Sequence, residues 1–239
     1  MDIFYTTSDS VQGDRIHLGP AEARHLVRVL RHQVGEQILV VDGQGNEYRC
    51  AIAEIGKRAV TCDIMSKTRR AREAITEVTL APGITKGSKL DLVVETATEL
   101  GVGQIAPLRT ARTIAGLTPA RLQRFEKLAI AALKSSTRTM LPRIRAVTDF
   151  EQFVKDSNYY DVKLIAYEGE KQTRLPGLVN RRPSRVALII GPEGGFTEPE
   201  IAYAQAQGFQ TFSLGPRRLR AETACIVALT MLMYELKEI

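Results

Sequence analysis

Over residues 1–70 the apolar positions come in short runs with a period near two: Ile3–Tyr5, Arg15–Leu18, Gln37–Val41, Glu47–Ile55 and Arg58–Met65. That spacing predicts strands, and turn residues separate them, with Asp42-Gly43-Gln44-Gly45-Asn46 reading as a hairpin loop. One segment has a different period. From Pro20 to Leu30 the spacing is helical, placing Leu26, Val29 and Leu30 on one side and Arg24, Arg28 and Arg31 on the other. The expectation is a small β-rich unit, a barrel, that carries a short basic helix.

Beyond residue 72 strands alternate with helices. Glu77–Ala81, Gln104–Leu108, Val162–Tyr167, Val186–Ile190 and Gln210–Leu214 read as strands, two of them unbroken apolar runs of the kind buried on both faces. Ser88 is placed to cap a helix with the stripe Leu90, Val93, Val94, Ala97 and Leu100, stopped by Gly101. Thr118-Pro119 opens a second helix with Leu122, Phe125, Leu128 and Leu133 inward. Thr197 and Glu200 form a capping box for Glu198–Gln207, and Ala221–Leu236 is apolar nearly all round and therefore buried. The fold class is α/β: a mostly parallel sheet with helices on both faces over residues 73–239, preceded by the β unit at 1–72.

Composition narrows the partners. The 239 residues, 44% hydrophobic and 25% charged, fit a globular chain long enough to bury a core without a disulfide or metal. Ala224–Tyr234 is too short for a membrane helix, which needs about 20 apolar residues. Asp2 stands where a signal peptide would carry a base, so a cytoplasmic location with no membrane association is expected. The net charge is +6, and bases cluster at Lys67, Arg69, Arg70 and Arg72, at Arg217, Arg218 and Arg220, and at Arg181, Arg182 and Arg185. Such groups serve either a polyanion partner or a solvated surface. Cys50, Cys62 and Cys225 are widely spaced and fit reduced thiols; with His17, His25 and His32 they make no metal pattern, so no metal cofactor is expected.

Ligands of open α/β sheets bind beyond the carboxyl ends of the strands. Two unusual segments follow predicted strands there: Gly191-Pro192-Glu193-Gly194-Gly195-Phe196 and Leu214-Gly215-Pro216-Arg217-Arg218-Leu219-Arg220. Neither is a phosphate loop or a Gly-x-Gly-x-x-Gly fingerprint. They read either as plain tight turns into capped helices or as a site that uses backbone edges and an apolar slot.

Five motifs in order decide between such readings: His25-Leu26-Val27-Arg28-Val29-Leu30-Arg31, Thr85-Lys86-Gly87, Glu99-Leu100-Gly101-Val102, Gly191 through Thr197, and Leu214-Gly215 through Leu219-Arg220-Ala221-Glu222-Thr223-Ala224. With them the chain resembles the RsmE family of SPOUT-class RNA methyltransferases, which methylate N3 of a uridine in small-subunit (16S) ribosomal RNA. The resemblance implies a PUA-like RNA-binding barrel over 1–72 and a trefoil-knotted methyltransferase domain over 73–239. It implies S-adenosylmethionine as cofactor, held by main-chain groups around Ile190, Gly191, Leu214 and Leu219, with Tyr167, Glu168, Pro192, Gly194, Gly195, Gly215, Arg218 and Thr223 completing the site. It also implies a homodimer acting on ribosomal RNA, in a small ribosomal subunit.

The imide N3 of uridine is a poor nucleophile until it loses its proton, so such a site needs a base or donors to the flanking carbonyls. Glu193 and Glu222 are the acids inside the motifs and Arg220 the donor; these three are the catalytic candidates. Arg24, His25, Arg28, Arg31, Arg69, Arg70, Arg72 and Lys86 are the RNA-binding candidates. At Lys134-Ser135-Ser136-Thr137-Arg138 the chain departs from the family's Glu-Gln-Ser-x-x-Arg type of helix end, and no role follows there. The alternatives are a SPOUT methyltransferase acting on another RNA position and a non-catalytic RNA-binding factor of ribosome assembly.

Overall fold

The computed structural model describes residues 1–179 and 182–239; Arg181 of the third basic group lies outside the described residues. The chain divides into two compact units, residues 1–73 with 130–141 and residues 74–129 with 142–239. The division expected at 72/73 thus has a counterpart near Glu73, but a stretch from the second half of the chain joins the first unit.

The first unit is a six-stranded sheet of β1 (Ile3–Tyr5), β2 (Val11–Gln12), β3 (Arg15–Leu18), β4 (Gln37–Val41), β5 (Asn46–Ile55) and β6 (Val60–Arg69), in the order β1-β4-β5-β6-β3-β2. Only β1 and β4 run parallel; the other pairs are antiparallel. The inward residues Phe4, Ile16, Leu18, Leu26, Ile38, Val40 and Ile52 form its core. The hairpin loop is held by Asp42, whose Oδ1 accepts from the amides of Gln44 at 2.8 Å and Asn46 at 3.1 Å. Cys50 and Cys62 are buried on neighbouring strands, and burial pushes both thiols up to about 12, so they are inert near neutral pH. The sheet reaches further than the alternation did: β6 runs to Arg69, making Lys67 and Arg69 strand residues rather than linker.

The short helix departs from the reading more sharply. Helix α1 (Pro20–Arg24) gives way to a π turn over His25–Val29, with the Leu30 amide bonded to the His25 carbonyl at 3.0 Å. The wider turn shifts the phase of everything after it. Leu26 is buried as expected, but Val29 is 65% exposed and Leu30 37%, and Arg31 ends the segment at φ +61° instead of continuing the basic face.

Next to this turn His32 sits between two acids, its Nε2 2.9 Å from Asp2 and its Nδ1 bonded to Glu36. The bond to Glu36 raises the imidazole above its ordinary value near 6.5, against a smaller opposing effect of burial. A raised histidine contributes stability that is complete below the unfolded value and lost as pH rises through the folded one. The first unit is therefore expected to lose stability as pH climbs from about 6.5, and His32→Gln to flatten that slope in melts at pH 6, 7 and 8. A slope equal to that of the unaltered chain would remove His32 from the account.

Residues 130–141 explain the departure at Lys134–Arg138. Lys134 Nζ donates to Glu22 Oε1 at 2.8 Å, and the buried Arg138 donates to Glu73 Oε2 through Nη2 at 2.7 Å and Nε at 3.2 Å. Glu73 Oε1 accepts from the amides of Thr139 at 2.6 Å and Met140 at 2.9 Å. Thr137, a β-branched residue at φ +58°, offers its carbonyl to Arg72 Nε at 2.9 Å, and Arg72 Nη2 bonds Glu47. The segment is the fastening of the first unit, and Arg72, expected to face RNA, is engaged in it.

The second unit is built on a fully parallel sheet, in the order β10-β8-β7-β13-β12-β14. Its strands are β7 (Glu77–Pro82), β8 (Gln104–Ile105), β10 (Arg143–Ile144), β12 (Val162–Ala166), β13 (Arg185–Ile190) and β14 (Gln210–Phe212). The single strand expected at Gln104–Leu108 is broken at Pro107, which has no amide to give, so Leu108–Arg109 becomes β9 and pairs instead with β11 (Thr148–Asp149). Ala81, Ile165, Ala187 and Ile189 pack with residues of α4 (Phe150–Lys155) and α5 (Glu198–Ala206). The alternate residues Leu80, Leu164 and Leu188 are equally buried, and α6 (Ala221–Glu235) packs on β7 and β13 and against α2 (Lys89–Glu99). Both faces are covered. The Thr197–Glu200 capping box is present, whereas Ser88 holds the N-cap position of α2 without a side-chain bond; its carbonyl takes the Asp91 amide instead. The helix opened by Thr118-Pro119 is α3 (Pro119–Ser135), which contributes its last turns to the first unit.

Candidate active site

Beyond the carboxyl ends of the three adjacent strands β13, β12 and β14 lies a cavity of about 760 Å³. Each strand feeds one wall: Tyr167–Gly169 after β12, Gly191–Phe196 after β13, and Ser213–Arg220 after β14, which leads into α6. Parallel strands that stop together leave main-chain amides and carbonyls facing this space. Ile190, Phe196, Leu214 and Leu219 supply apolar surface, while Lys89, Glu168, Glu193, Arg217, Arg218 and Arg220 bring charge.

Glycines shape the walls for different reasons. Gly215 has φ +111° with open space where a Cβ would stand, so the backbone turn rather than crowding calls for glycine there. Gly83, just after β7, is the opposite case: its amide donates to the Ile190 carbonyl at 2.7 Å, and a Cβ on it would stand 2.4 Å from Pro192 N. The two strand ends meet with no room between them. Glu170 fixes the wall after β12; the amides of Thr173 and Gln172 bond its carboxylate and hold it at about 2.

Glu193 is tied down. Partial burial opposes its charge, but Lys89 Nζ at 2.9 Å and the Lys86 amide at 3.2 Å outweigh that and hold the carboxyl below its ordinary value. Such a carboxylate is a weak proton acceptor. Arg218 Nε stands 3.9 Å from Glu168 Oε2, both exposed at the mouth, and Lys171 Nζ bonds the Glu168 carbonyl at 2.6 Å.

A family model described as an RNA methyltransferase domain matches residues 72–233, and one described as an RNA methyltransferase PUA domain matches residues 18–65. The chain is 32% identical over 236 residues to ribosomal RNA small subunit methyltransferase E of Bacillus subtilis, covering 95% of this chain and 90% of that one. The chain belongs to the ribosomal RNA small subunit methyltransferase E family. The Synechocystis member is 34% identical over 91% of this chain and 72% of its own length. Two solved structures overlie nearly the whole chain. The Neisseria gonorrhoeae family member, bound to S-adenosyl methionine, has a TM-score of 0.88 at 29% identity and covers 98% of this chain and 97% of its own. A Legionella pneumophila methyltransferase with SAM bound has a TM-score of 0.86 at 32% identity, over 97% and 96%.

Of the residues that the family resemblance marked, Tyr167, Glu168, Ile190, Gly191, Pro192, Gly195, Leu214, Gly215, Arg218, Leu219, Arg220 and Glu193 all line this one cavity. Gly194 does not: it lies against Arg112, whose Nη1 bonds its carbonyl at 2.8 Å, and a Cβ there would come 3.0 Å from Arg112 Cβ. Thr223 is exposed on α6 away from the lining, and Glu222 points elsewhere, with one carboxylate oxygen buried without a partner. Its neighbour is Cys225, which burial, with a contribution from Glu222, pushes up to about 12. Phe196, Ala221 and Ala224 lie inside the marked stretches without having been named as site residues, whereas Lys89 and the close approach at Gly83 lie outside them. The one local sign was Lys89 following Ser88 at a helix start.

Proposed function

We propose that the protein transfers a methyl group from S-adenosylmethionine to N3 of a uridine in the RNA of the small ribosomal subunit. The observation that carries the reading is the cavity at three parallel strand ends, walled by the family's glycine-rich loops and rimmed by Arg220. The residues present fit the cofactor. The volume is that of a small-molecule site, apolar surface faces main-chain donors and acceptors, and the fixed turns at Gly195 and Gly215 leave the backbone uncovered. Ile190, Gly191, Leu214 and Leu219 would hold it, and bound there it supplies an electrophilic methyl on a sulfonium.

The chain's own part is to position the base and stabilise its anion. In-line transfer between oriented partners draws much of its acceleration, up to about 7–11 kcal/mol, from position alone. N3 lies on the pairing edge, so the uridine enters unpaired or flipped out. Arg220 donates to the carbonyl oxygens beside N3 and stabilises the imidate as the proton leaves. Glu193, bound by Lys89 and Lys86, fixes its loop on the cavity that Arg220 also lines, and Glu222, in the first turn of α6 and outside the lining, is not given the proton. Arg24, His25, Arg28, Arg31, Arg69, Arg70 and Lys86 serve the RNA backbone.

The reading includes a trefoil knot around the cavity and closure of the first unit's sheet into a PUA-like barrel. It also includes a homodimer, supported by the half-buried Ile226, Val227 and Met231 and the exposed Tyr234 along α6, and residence in the cytoplasm with the RNA. Incubation with labelled cofactor and small ribosomal subunits, followed by nucleoside analysis, is expected to yield 3-methyluridine. Arg220→Ala should slow single-turnover transfer at saturating RNA by about 10²–10³-fold. An unchanged rate would move Arg220 to the phosphate-contacting group, and a different methylated nucleoside would replace the N3 assignment.

A further inference from the structure

Within the first unit several cations face a carboxylate: Arg15, Arg72, Lys134 and Arg138 all do. Among the first unit's other cations, four lie together. Arg24 and Arg28, from α1 and the π turn, and Lys57 and Arg58, from the turn between β5 and β6, line one groove of about 670 Å³ together with Pro20, Ala23, Val27 and Gly56. All four cations are exposed, no acid lines the groove, and none of the four side chains makes a hydrogen bond or ion pair among the described residues. Glu22, the acid of α1, is turned to Lys134 instead.

Four like charges around one concavity repel each other, and among the described residues no carboxylate bonds any of them. The backbone holds the arrangement in place. Gly56 N bonds the Ala59 carbonyl at 2.9 Å, closing the turn that displays Lys57 and Arg58. Arg24 ends α1 and Arg28 lies in the π turn that follows it, so one short helical stretch supplies both arginines. A pocket lined by unpaired arginines and a lysine has the donor geometry for phosphate oxygens, the arginines by their planar fork and the lysine as a point charge. The charges stand exposed along the groove instead of converging in a closed pocket, which suits a chain of phosphodiesters passing across it rather than a single enclosed anion. Pro20, Ala23 and Val27 give the sugar side an apolar floor.

Resting on the RNA methyltransferase reading, we propose that this groove is an RNA-backbone site, in which Lys57 and Arg58 on the β5–β6 turn grip phosphates together with Arg24 and Arg28. The test is the double variant Lys57→Glu/Arg58→Glu in the full chain, titrated with a transcript of the small-subunit ribosomal RNA over a salt series. Affinity is expected to fall at least about tenfold, and the slope of log K against log salt to become shallower by roughly 1.4–1.8, about 0.7–0.9 per lost contact. S-adenosylmethionine affinity by calorimetry should be unchanged. The milder Lys57→Gln/Arg58→Gln, with its melting temperature checked, should give the same shallower slope and covers the case in which the charge reversal disturbs folding. Equal affinity and slope in either folded variant overturns the proposal. So does a loss of binding confined to assembled subunits with naked RNA binding intact, which would assign the groove to an acidic ribosomal protein. If the unaltered chain binds neither the transcript nor the cofactor, it is the methyltransferase reading that fails.

Discussion

Gly83→Ala is expected to damage the cofactor cavity although Gly83 does not line it. The added methyl would stand 2.4 Å from Pro192 N and 2.5 Å from Pro192 Cδ, and these are ring and backbone atoms that cannot swing aside. Something must move, and the hydrogen bond from the Gly83 amide to the Ile190 carbonyl joins the moving parts. Overpacking of this kind costs about 1–3 kcal/mol. If the strain is relieved by shifting the Gly191–Phe196 wall, S-adenosylmethionine affinity falls by about 5- to 150-fold, which calorimetry reads directly. Cofactor binding at full strength by Gly83→Ala would show that the wall tolerates displacement and is not pre-formed.

The second large effect is on folding. Glu73→Gln is expected to destabilise the first unit by about 3–5 kcal/mol, the cost of leaving one partner of a buried ion pair uncompensated. Glu73 and Arg138 side chains are 1% and 5% exposed, so water cannot replace what is lost. An amide is no substitute. One Glu73 oxygen serves two backbone amides and the other serves Arg138, so whichever way the glutamine turns, an N–H meets an N–H. Calorimetric unfolding should show the transition of this unit moved down and the other little changed. A loss under about 1 kcal/mol would mean that the pair is replaceable.

Sequence pattern revealed those parts of the fold whose causes are local. Val186–Ile190 is apolar at every position and Val162–Ala166 at every position but Lys163 because both faces of a parallel sheet are covered, and the Thr197–Glu200 box is a contact between residues three apart. The π turn escaped because its sequence, His25-Leu26-Val27-Arg28-Val29, has ordinary helical spacing and no residue that marks a wider turn. Most of the cavity was legible because its walls are contiguous motifs following strands. Gly83 and Lys89 were not, since their relation to Pro192 and Glu193 exists only once β7 pairs with β13, more than a hundred residues along the chain. Glu193 shows the limit in another way: its place in a motif makes it a base by chemistry, and two neighbours that no spacing rule supplies turn it into a fastening.

The discontinuous first unit has a consequence in time. Its sheet strands are complete by residue 69, yet the residues that satisfy Glu73 belong to 130–141 and follow 56 residues of the other unit. At roughly 5–20 residues per second of synthesis, the nascent sheet waits about 3–14 seconds before Arg138 arrives. During that interval Glu73 is a bare carboxylate at the edge of an unfinished domain, and Arg72 lacks the Thr137 carbonyl that it later binds. Emergence of residues 130–141 is therefore expected to complete the first unit, and a synonymous slow codon placed before residue 130 is expected to prolong the wait without altering a single side chain.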